Sequence, residues 1–278
     1  MFADLHIHSQ YSDGMLTIPE IIEKAQAQNI TLLSVCDHEN ADAYLCADDF
    51  CTAQGIKIIT GAEINARMDG VNYHMLAYGF DIHNATLGQL LKHNRDILLQ
   101  NGIALIAAMS KDYPALSAEA FACYERNRNN GGWESIDYLR SQGIINNVTD
   151  FFHATGKYGE NPTPQFPYVA EVIAAIHDAG GYAVVAHLGG TLANDEQKCK
   201  HVANQFFQMG IDGFECYYPE HTETITDFLI NFCHQHDLMI TAGSDDHGGF
   251  NNESDVIYDM GVQKIKVEQL HLKNLARK

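Results

Sequence analysis

Seven short apolar runs alternate along the chain with segments of helical periodicity. The runs lie at 2–8, 31–37, 57–64, 73–80, 182–187, 213–217 and 239–244. Their nearly continuous apolar character is typical of parallel strands that are covered on both faces. A strand followed by a helix, repeated in this way, predicts an α/β protein of the (β/α) barrel type. Seven strands instead of eight indicate either a missed strand or a departure from eightfold closure.

The first helix has the clearest boundary signals. Thr17 and Glu20 form a capping-box pattern at its start. The apolar stripe that follows consists of Ile18, Ile21, Ile22 and Ala25. Further helices are predicted at 41–54, 168–179, 197–209 and 222–236.

About a hundred residues between the fourth and fifth predicted strands interrupt this alternation. They show helical patterning, clearest at 86–110, and are too long for an ordinary barrel connection. We therefore predict a barrel built from 1–83 and 168–278, with a helical insertion at 84–167 after the fourth strand. The insertion is expected to cover the active-site face. A helical appendage that only packs on the barrel rim is the alternative.

The charge balance narrows the possible partners. Seventeen Lys and Arg residues against 36 Asp and Glu residues give a net charge of −19. This charge argues against a surface that holds duplex nucleic acid. A small phosphorylated substrate is still compatible with it, because bound divalent cations dominate the local field of a metal site.

Three features predict a cytoplasmic protein. No apolar run reaches the ~18 residues of a membrane span. The seven cysteines are an odd number without a C-x-x-C pair, which suits free thiols in a reducing compartment. Met1 leads directly into the first predicted strand and leaves no room for a signal peptide.

Metal-binding side chains recur at the ends of the predicted strands. His6 and His8 are two residues apart on the first strand and therefore point to the same face. Asp245 and His247 repeat this spacing near the other end of the chain. The remaining candidates are Asp13, Asp37, His38, Glu63, His74 and His187. Because the carboxyl ends of barrel strands meet at one mouth, these side chains are expected to converge.

The composition of this set indicates the chemistry. Imidazoles and carboxylates without cysteine suit Zn, Mn or Fe, and carboxylates can bridge two ions. This many ligands exceed what one tetrahedral ion needs, so two or three divalent ions are implied. Paired ions activate water near neutral pH and clamp the oxygens of a phosphoryl group. A metallohydrolase is the first hypothesis, although any one of the fifteen histidines alone is more often a structural residue.

These motifs resemble the PHP (polymerase and histidinol phosphatase) family. The matching segments are Asp4-Leu-His6-Ile-His8, Ser12-Asp13-Gly14, Asp37-His38, Gly61-Ala-Glu63, His74, Ala186-His187 and Gly243-Ser-Asp245-Asp-His247-Gly. They cover roughly 1–82 and 168–250. The resemblance implies a distorted (β/α)7 TIM-like barrel and a trinuclear Zn, Mn or Fe centre that hydrolyses phosphate esters.

Carried over residue by residue, the resemblance implies ligands for three ions. One ion would be held by His6, His8, Glu63 and Asp245. Glu63 would bridge to a second ion held by His74 and His187. The third ion would be held by Asp13, His38 and His247. Glu63 and Asp245 are thus the predicted catalytic carboxylates, and Asp37 would orient a ligand or a bound water.

Three further residues are candidates for handling the substrate. His221 follows the sixth predicted strand and could protonate a leaving alkoxide; capping the next helix or facing solvent is the alternative. Arg126 and Arg128 of the insertion could hold a substrate phosphate, because a guanidinium pairs well with its oxygens. Solvated loop charges are the alternative for both arginines.

The predicted activity is metal-dependent hydrolysis of a small phosphomonoester or related phosphoester. The chain looks like the family branch that acts on nucleotides, including nucleoside bisphosphates and short RNA ends. Where those enzymes carry an Arg-x-His pair in the insertion, this chain has Gly131-Gly-Trp-Glu134. The alternatives are a histidinol-phosphate-type phosphatase, an amidohydrolase-type C–N hydrolase and a non-catalytic metal-binding module.

Overall fold

The strands form two sheets. The computed structural model describes residues 1–45, 50, 53–159, 165–250 and 256–275. The first sheet has three parallel strands, β1 (Phe2–Ile7), β2 (Ile30–Val35) and β3 (Lys57–Ile58). The second sheet has five strands in chain order, β4 (Gly61–Met68), β5 (Val71–Tyr78), β6 (Tyr182–Val185), β7 (Gly213–Tyr217) and β8 (Met239–Ala242).

The α/β class is confirmed, but the two sheets are not closed into a barrel. Single bridges connect the two sheets at two places. Ile7 pairs with Asp246 beyond β8, and His38 beyond β2 pairs with Glu63 of β4. These two bridges bring the ends of β1, β2 and β8 and the first half of β4 to one side of the molecule.

The prediction that all strands run parallel is wrong for β5. This strand is antiparallel to both β4 and β6. Asp69 and Gly70 connect β4 to β5 with φ angles of 51° and 79°, which is the backbone shape that an Asp-Gly hairpin turn requires. The tight hairpin reverses the chain, so β5 cannot run parallel to β4.

The predicted strand at 57–64 is divided into two. β3 ends at Ile58 in the first sheet, and β4 begins at Gly61 in the second. A side chain at Gly61 would collide with Ser34 Oγ and Cys36 Sγ, so this position admits only glycine where the chain crosses between sheets. Within the described ranges, the seven predicted strands therefore become eight.

Four helices flank the sheets close to their predicted positions: α1 (Ile18–Ala27), α6 (Val169–Asp178), α8 (Glu196–Gln208) and α9 (Glu223–His236). The capping box of α1 is confirmed, because the Thr17 N–H donates to the Glu20 carboxylate at 2.8 Å. A four-residue helix that was not predicted, α7 (Leu188–Thr191), follows β6. Of the helix predicted at 41–54, the described part holds a 3₁₀ turn at Asp42–Leu45, while 46–49 and 51–52 lie outside the described residues.

The segment between β5 and α6 is helical, as its patterning indicates. It contains α2 (Ala85–Met109), α3 (Ala118–Ala122), α4 (Glu134–Ser141) and α5 (Val148–Tyr158). α2 belongs to two hydrophobic cores: Leu87 and Leu91 pack with the sheet core, whereas Leu105 and Ile106 pack with the other insertion helices. Across the described ranges, no helix combines the length and apolar character that a bilayer crossing would need.

Candidate metal centre

The nine side chains predicted as metal ligands come together on one side of the molecule. Eight of them form three groups whose ligand atoms lie within 4.8 Å of one another. The groups are His8 with Asp13, His38 and His247; His6 with His8, Glu63 and Asp245; and His38 with Glu63 and His74. The ninth, His187, places Nε2 3.0 Å from Glu63 Oε1. The convergence expected from the sequence is therefore present.

Glu63 lies at the centre of the cluster. Three imidazole nitrogens lie 3.2, 3.2 and 3.3 Å from its Oε2 atom, those of His6, His8 and His38. Two more lie 2.8 and 3.0 Å from its Oε1 atom, those of His74 and His187. One fully buried carboxylate thus faces five imidazoles, and each of its oxygens could bind a different cation.

Three buried ligand atoms fit a cation rather than a hydrogen-bond network. Nδ1 of His8, Nδ1 of His38 and Oε2 of Glu63 make no hydrogen bond among the described residues, although Nδ1 of His38 lies 3.3 Å from Oε2 of Glu63. In addition, Nε2 of His8 lies only 3.2 Å from Nε2 of His6. Buried polar atoms are normally paired, because an unpaired one loses its hydration without compensation. A set of imidazoles and carboxylates left in this state matches the donors that divalent metals take.

The electrostatics of the cluster favour positive charge. Burial opposes charge on His6, but neighbouring carboxylates, with Glu63 foremost, raise its pKa well above the usual value. Burial also opposes charge on His8, but contacts with Asp245 and Glu63 outweigh it and raise the pKa of His8 to about 10. Burial prevails at His38 and lowers its pKa to about 4. Burial alone would raise the pKa of Glu63, yet the surrounding imidazoles hold it well below its usual range. Divalent ions would compete with protons for these sites.

Glu215 is a buried carboxylate that supports two of the ligands and was missed in the sequence. One oxygen lies 2.9 Å from Nδ1 of His6, and the other accepts the N–H of His187 at 2.8 Å. This contact fixes the ring of His6 so that Nε2 faces the cluster. The sequence feature that could have identified Glu215 is its position inside the otherwise apolar run of β7.

Asp37 contacts the loop after β1 instead of an imidazole. Its carboxylate accepts the N–H of Ser9 at 2.8 Å, the Ser9 hydroxyl at 2.7 Å and the Ser12 hydroxyl at 2.6 Å. These three bonds fix the segment that joins His8 to Asp13. Asp37 can therefore orient the ligands through the backbone that carries them.

At three positions in or beside the site, the backbone adopts a left-handed conformation that residues other than glycine rarely adopt. Glu39, His187 and Asp245 have φ angles of 53°, 30° and 58°. Such left-handed conformations cost of order 1–3 kcal/mol and persist only where surrounding contacts hold them. Each of these residues is a candidate ligand or lies next to one.

His221 does not line the cavity above the ligand cluster, and its ring contacts the main chain. Its Nδ1–H donates to Cys216 O at 3.1 Å, and its Nε2 accepts the N–H of Gly189 at 3.0 Å. Burial lowers its pKa. In this arrangement the ring joins the segment after β6 to the segment after β7, and both nitrogens are engaged. Its role as a proton donor stays a prediction.

Neither Arg126 nor Arg128 is among the described residues that line the cavity above the metal ligands. Arg126 donates from Nη1 to Gly132 O at 3.1 Å and from Nη2 to Gln10 O at 3.0 Å and to Ser12 O. It thereby ties the insertion to the loop after β1. Arg128 is exposed. Both arginines line a second cavity next to the metal cluster, and their contact with a substrate phosphate stays a prediction.

The ligands open into a cavity of about 370 Å³. It is lined by the ligands Glu63, His74 and Asp245 and by Trp133 and Phe152 of the insertion. The Trp133 ring lies 5.7 Å from the ring of His38, measured between centroids. This volume falls in the range of small-molecule sites, roughly 300–1,000 Å³.

Comparisons with known proteins agree with this geometry. The model of the PHP domain matches residues 4–216. A 5′-3′ exoribonuclease of Haemophilus influenzae is 27% identical over 249 residues, covering 88% of this chain and 89% of that protein. A 3′,5′-nucleoside bisphosphate phosphatase of Chromobacterium violaceum is 26% identical, covering 91% and 90%. A Bifidobacterium adolescentis structure described as a metal-dependent phosphoesterase has a TM-score of 0.75 and 27% identity, covering 94% of both chains.

Proposed function

The chain belongs to the PHP domain family, and we propose that it hydrolyses a phosphoester of a nucleotide at the cluster around Glu63. Its relatives include phosphoesterases and phosphatases, which confirms the predicted class of metal-dependent phosphoric ester hydrolase. The observation that carries the proposal is the buried Glu63 carboxylate, which faces five imidazole nitrogens while its Oε2 atom has no hydrogen bond among the described residues.

We assign two or three divalent ions, Zn, Mn or Fe, to the three ligand groups. The first would be held by His6, His8, Glu63 and Asp245, the second by Glu63, His74 and His187, and the third by Asp13, His38 and His247. His8 and His38 each lie within reach of two groups, so they set the spacing between neighbouring ions. When bound, such ions activate water and neutralise charge on phosphoryl oxygens.

The protein itself orients the ligands and shapes the space above them. Glu215 fixes the ring of His6, and Asp37 fixes the loop that carries Asp13. The Tyr218 hydroxyl donates to Asp245 Oδ2 at 3.2 Å, and the Tyr218 ring lies against His187. These contacts hold the ligands in place before the substrate arrives, so little reorganisation accompanies the reaction.

The insertion is proposed to cover the active-site face and to select the substrate. Trp133 and Phe152 place aromatic surface over the metal cavity, where a nucleobase could stack. The relatives act on RNA 5′ ends and on nucleoside bisphosphates, according to their names. A nucleotide or nucleoside bisphosphate is therefore the substrate that we propose, in preference to histidinol phosphate.

Two alternatives receive less support. Amidohydrolase barrels often use a carbamylated lysine, and none of the described residues that line the metal cavity is a lysine. A non-catalytic metal-binding module would not need an aromatic-walled cavity above a complete set of ligands.

The test compares Glu63→Gln with Glu23→Gln, an exposed carboxylate of α1. Metal-loaded protein is incubated with mononucleotides, nucleoside bisphosphates, sugar phosphates and histidinol phosphate, and released phosphate is measured. Glu63→Gln is expected to lose at least ~100-fold in kcat/KM, because one neutral oxygen replaces a bridging anion. Its far-UV circular dichroism should resemble that of the wild type.

Glu23→Gln should retain wild-type turnover and metal content. Near-normal turnover and full metal content in Glu63→Gln would refute the bridging role. A wild-type protein that carries its ions but releases no phosphate from any compound would refute the proposed reaction.

A further inference from the structure

A second cavity adjoins the metal cavity and is larger, about 670 Å³. The two cavities share His38 and Trp133 as a common wall. A ligand whose reacting phosphate lies at the metal cluster could therefore extend past Trp133 into the second cavity. The predicted phosphate-binding residues Arg126 and Arg128 line this second cavity and not the metal cavity.

Four segments form the walls of the second cavity. Tyr11 and Ser12 come from the loop that also carries Asp13, and Asn40 follows the ligand His38. Leu98 and Leu99 belong to α2. Tyr124, Arg128 and Trp133 come from the segment of the insertion that connects α3 to α4. The cavity thus combines aromatic and apolar surface with hydroxyl, amide and guanidinium groups, the mixture that binds single-stranded nucleotides.

The charges of this cavity leave guanidinium groups for an anion. Three acidic residues line the cavity: Asp96 lies 2.6 Å from Lys92 Nζ, Glu134 lies 3.5 Å from Arg126 Nε, and Glu125 is exposed to solvent. Within the described ranges, neither Arg95 nor Arg128 has an acidic partner among the ion pairs of the chain. Arg95 donates one N–H to the Glu39 carbonyl. Arg128 is exposed at the rim and can meet a phosphate without breaking a buried contact.

We propose that the second cavity binds the nucleotide adjacent to the scissile phosphate of a single-stranded oligonucleotide. The base of that nucleotide stacks on Trp133 or Tyr124, and Arg128, with Arg95, holds its phosphate. The site is a determinant of chain-length preference: an oligonucleotide reaches both cavities, whereas a mononucleotide fills one. This inference rests on the proposed function, since the reacting phosphate is taken to lie at the metal cluster.

Trp133 provides a direct readout, because it is the only tryptophan in the sequence and lines both cavities. Metal-loaded protein is mixed in a stopped-flow fluorimeter with a 5′-phosphorylated mononucleotide or trinucleotide. The fast change in tryptophan fluorescence before turnover gives a dissociation constant for each ligand. In the wild type, the trinucleotide is expected to bind about tenfold or more tightly than the mononucleotide, the gain typical of one added charge-assisted contact and one stacked base.

Two variants and one control assign this gain to the second cavity. Arg128→Ala should reduce the ratio of the two dissociation constants several-fold, because the charge-assisted contact is lost while the stacked base remains. Leu99→Glu places a negative charge at an exposed position in the lining of the second cavity and should also reduce the ratio. Lys111→Ala removes an exposed positive charge from the same insertion outside the cavity and should keep the wild-type ratio.

Equal dissociation constants for the two ligands in the wild type would overturn the proposal. So would a wild-type ratio in both Arg128→Ala and Leu99→Glu. Binding is measured separately from phosphate release, so the two proposals can fail independently. A protein that binds the trinucleotide more tightly but releases no phosphate would support the second site and refute the proposed reaction.

Discussion

At the residue scale, close packing around the metal ligands helps to fix their positions. Gly243 follows β8 and lies against the first ligand strand. A side chain at this position would collide with His6 Cβ and Glu215 Oε1. Glycine here therefore permits both the ligand His6 and the carboxylate that orients it to occupy their places. Any larger residue at position 243 would therefore have to displace His6 or Glu215.

Gly243→Ala is accordingly expected to displace His6 and weaken metal binding. Overpacking of a buried site typically costs about 1–3 kcal/mol of unfolding free energy, and loss of ligand geometry should lower turnover by more than ~10-fold. Bound metal is measured by mass spectrometry of the element, and unfolding by thermal denaturation. Gly156→Ala, where an added Cβ meets nothing within 4 Å, is the matched control. Wild-type metal content in Gly243→Ala would show that His6 tolerates the shift.

The ligands could be predicted from the sequence because their spacing has a simple geometric meaning. His6 and His8 share a strand face, and Asp245 and His247 follow the end of a strand in the same spacing. Glu215 and Glu39 could not be found in this way. Both act through contacts with residues distant in sequence: Glu215 with His6, and Glu39 with Asn65 and Asn94, whose side-chain amides donate to it at 2.8 and 3.0 Å.

At the element scale, the β4–β5 hairpin is what departs most from the predicted barrel. The hairpin places His74 opposite Asn65 and brings it 2.8 Å from Glu63. The Asp69-Gly70 pair is a recognisable hairpin signal, but apolar runs on both sides are equally typical of parallel strands. Periodicity identified the strands and could not give their direction.

Two glycine-to-alanine replacements test the turn. Gly70 has φ 79° and Gly88 lies inside α2, and an added Cβ would meet nothing within 4 Å at either position. Gly70→Ala should destabilise the protein by about 1–2 kcal/mol, because a left-handed backbone disfavours a side chain. Gly88→Ala should stabilise it by roughly 0.5–1 kcal/mol, because it restricts the unfolded chain in a helical position. Urea unfolding measures the change in unfolding free energy for both variants. Changes of the same sign in the two variants would contradict the assigned turn.

At the scale of the whole molecule, α2 joins the insertion to the sheets. Its first half packs in the sheet core and its second half in the insertion core. A second tie is polar: the Gly132 N–H donates to the carbonyl of Asp13 at 2.7 Å. Trp133 is thereby held over the cluster and between the two cavities. The sequence predicted a helical insertion, but its placement depends on contacts between segments more than a hundred residues apart, which periodicity does not report.

The central claim is that the converging imidazoles and carboxylates hold divalent ions that hydrolyse a phosphoester. The most direct measurement is a titration of chelator-treated protein with Mn²⁺ or Zn²⁺, in which bound ions per chain and phosphate release from a nucleotide are recorded together. We expect two or three ions to bind and phosphate release to rise with the later of them. Phosphate release by metal-free protein, or full ion binding with no phosphate release from any phosphoester, would contradict the claim.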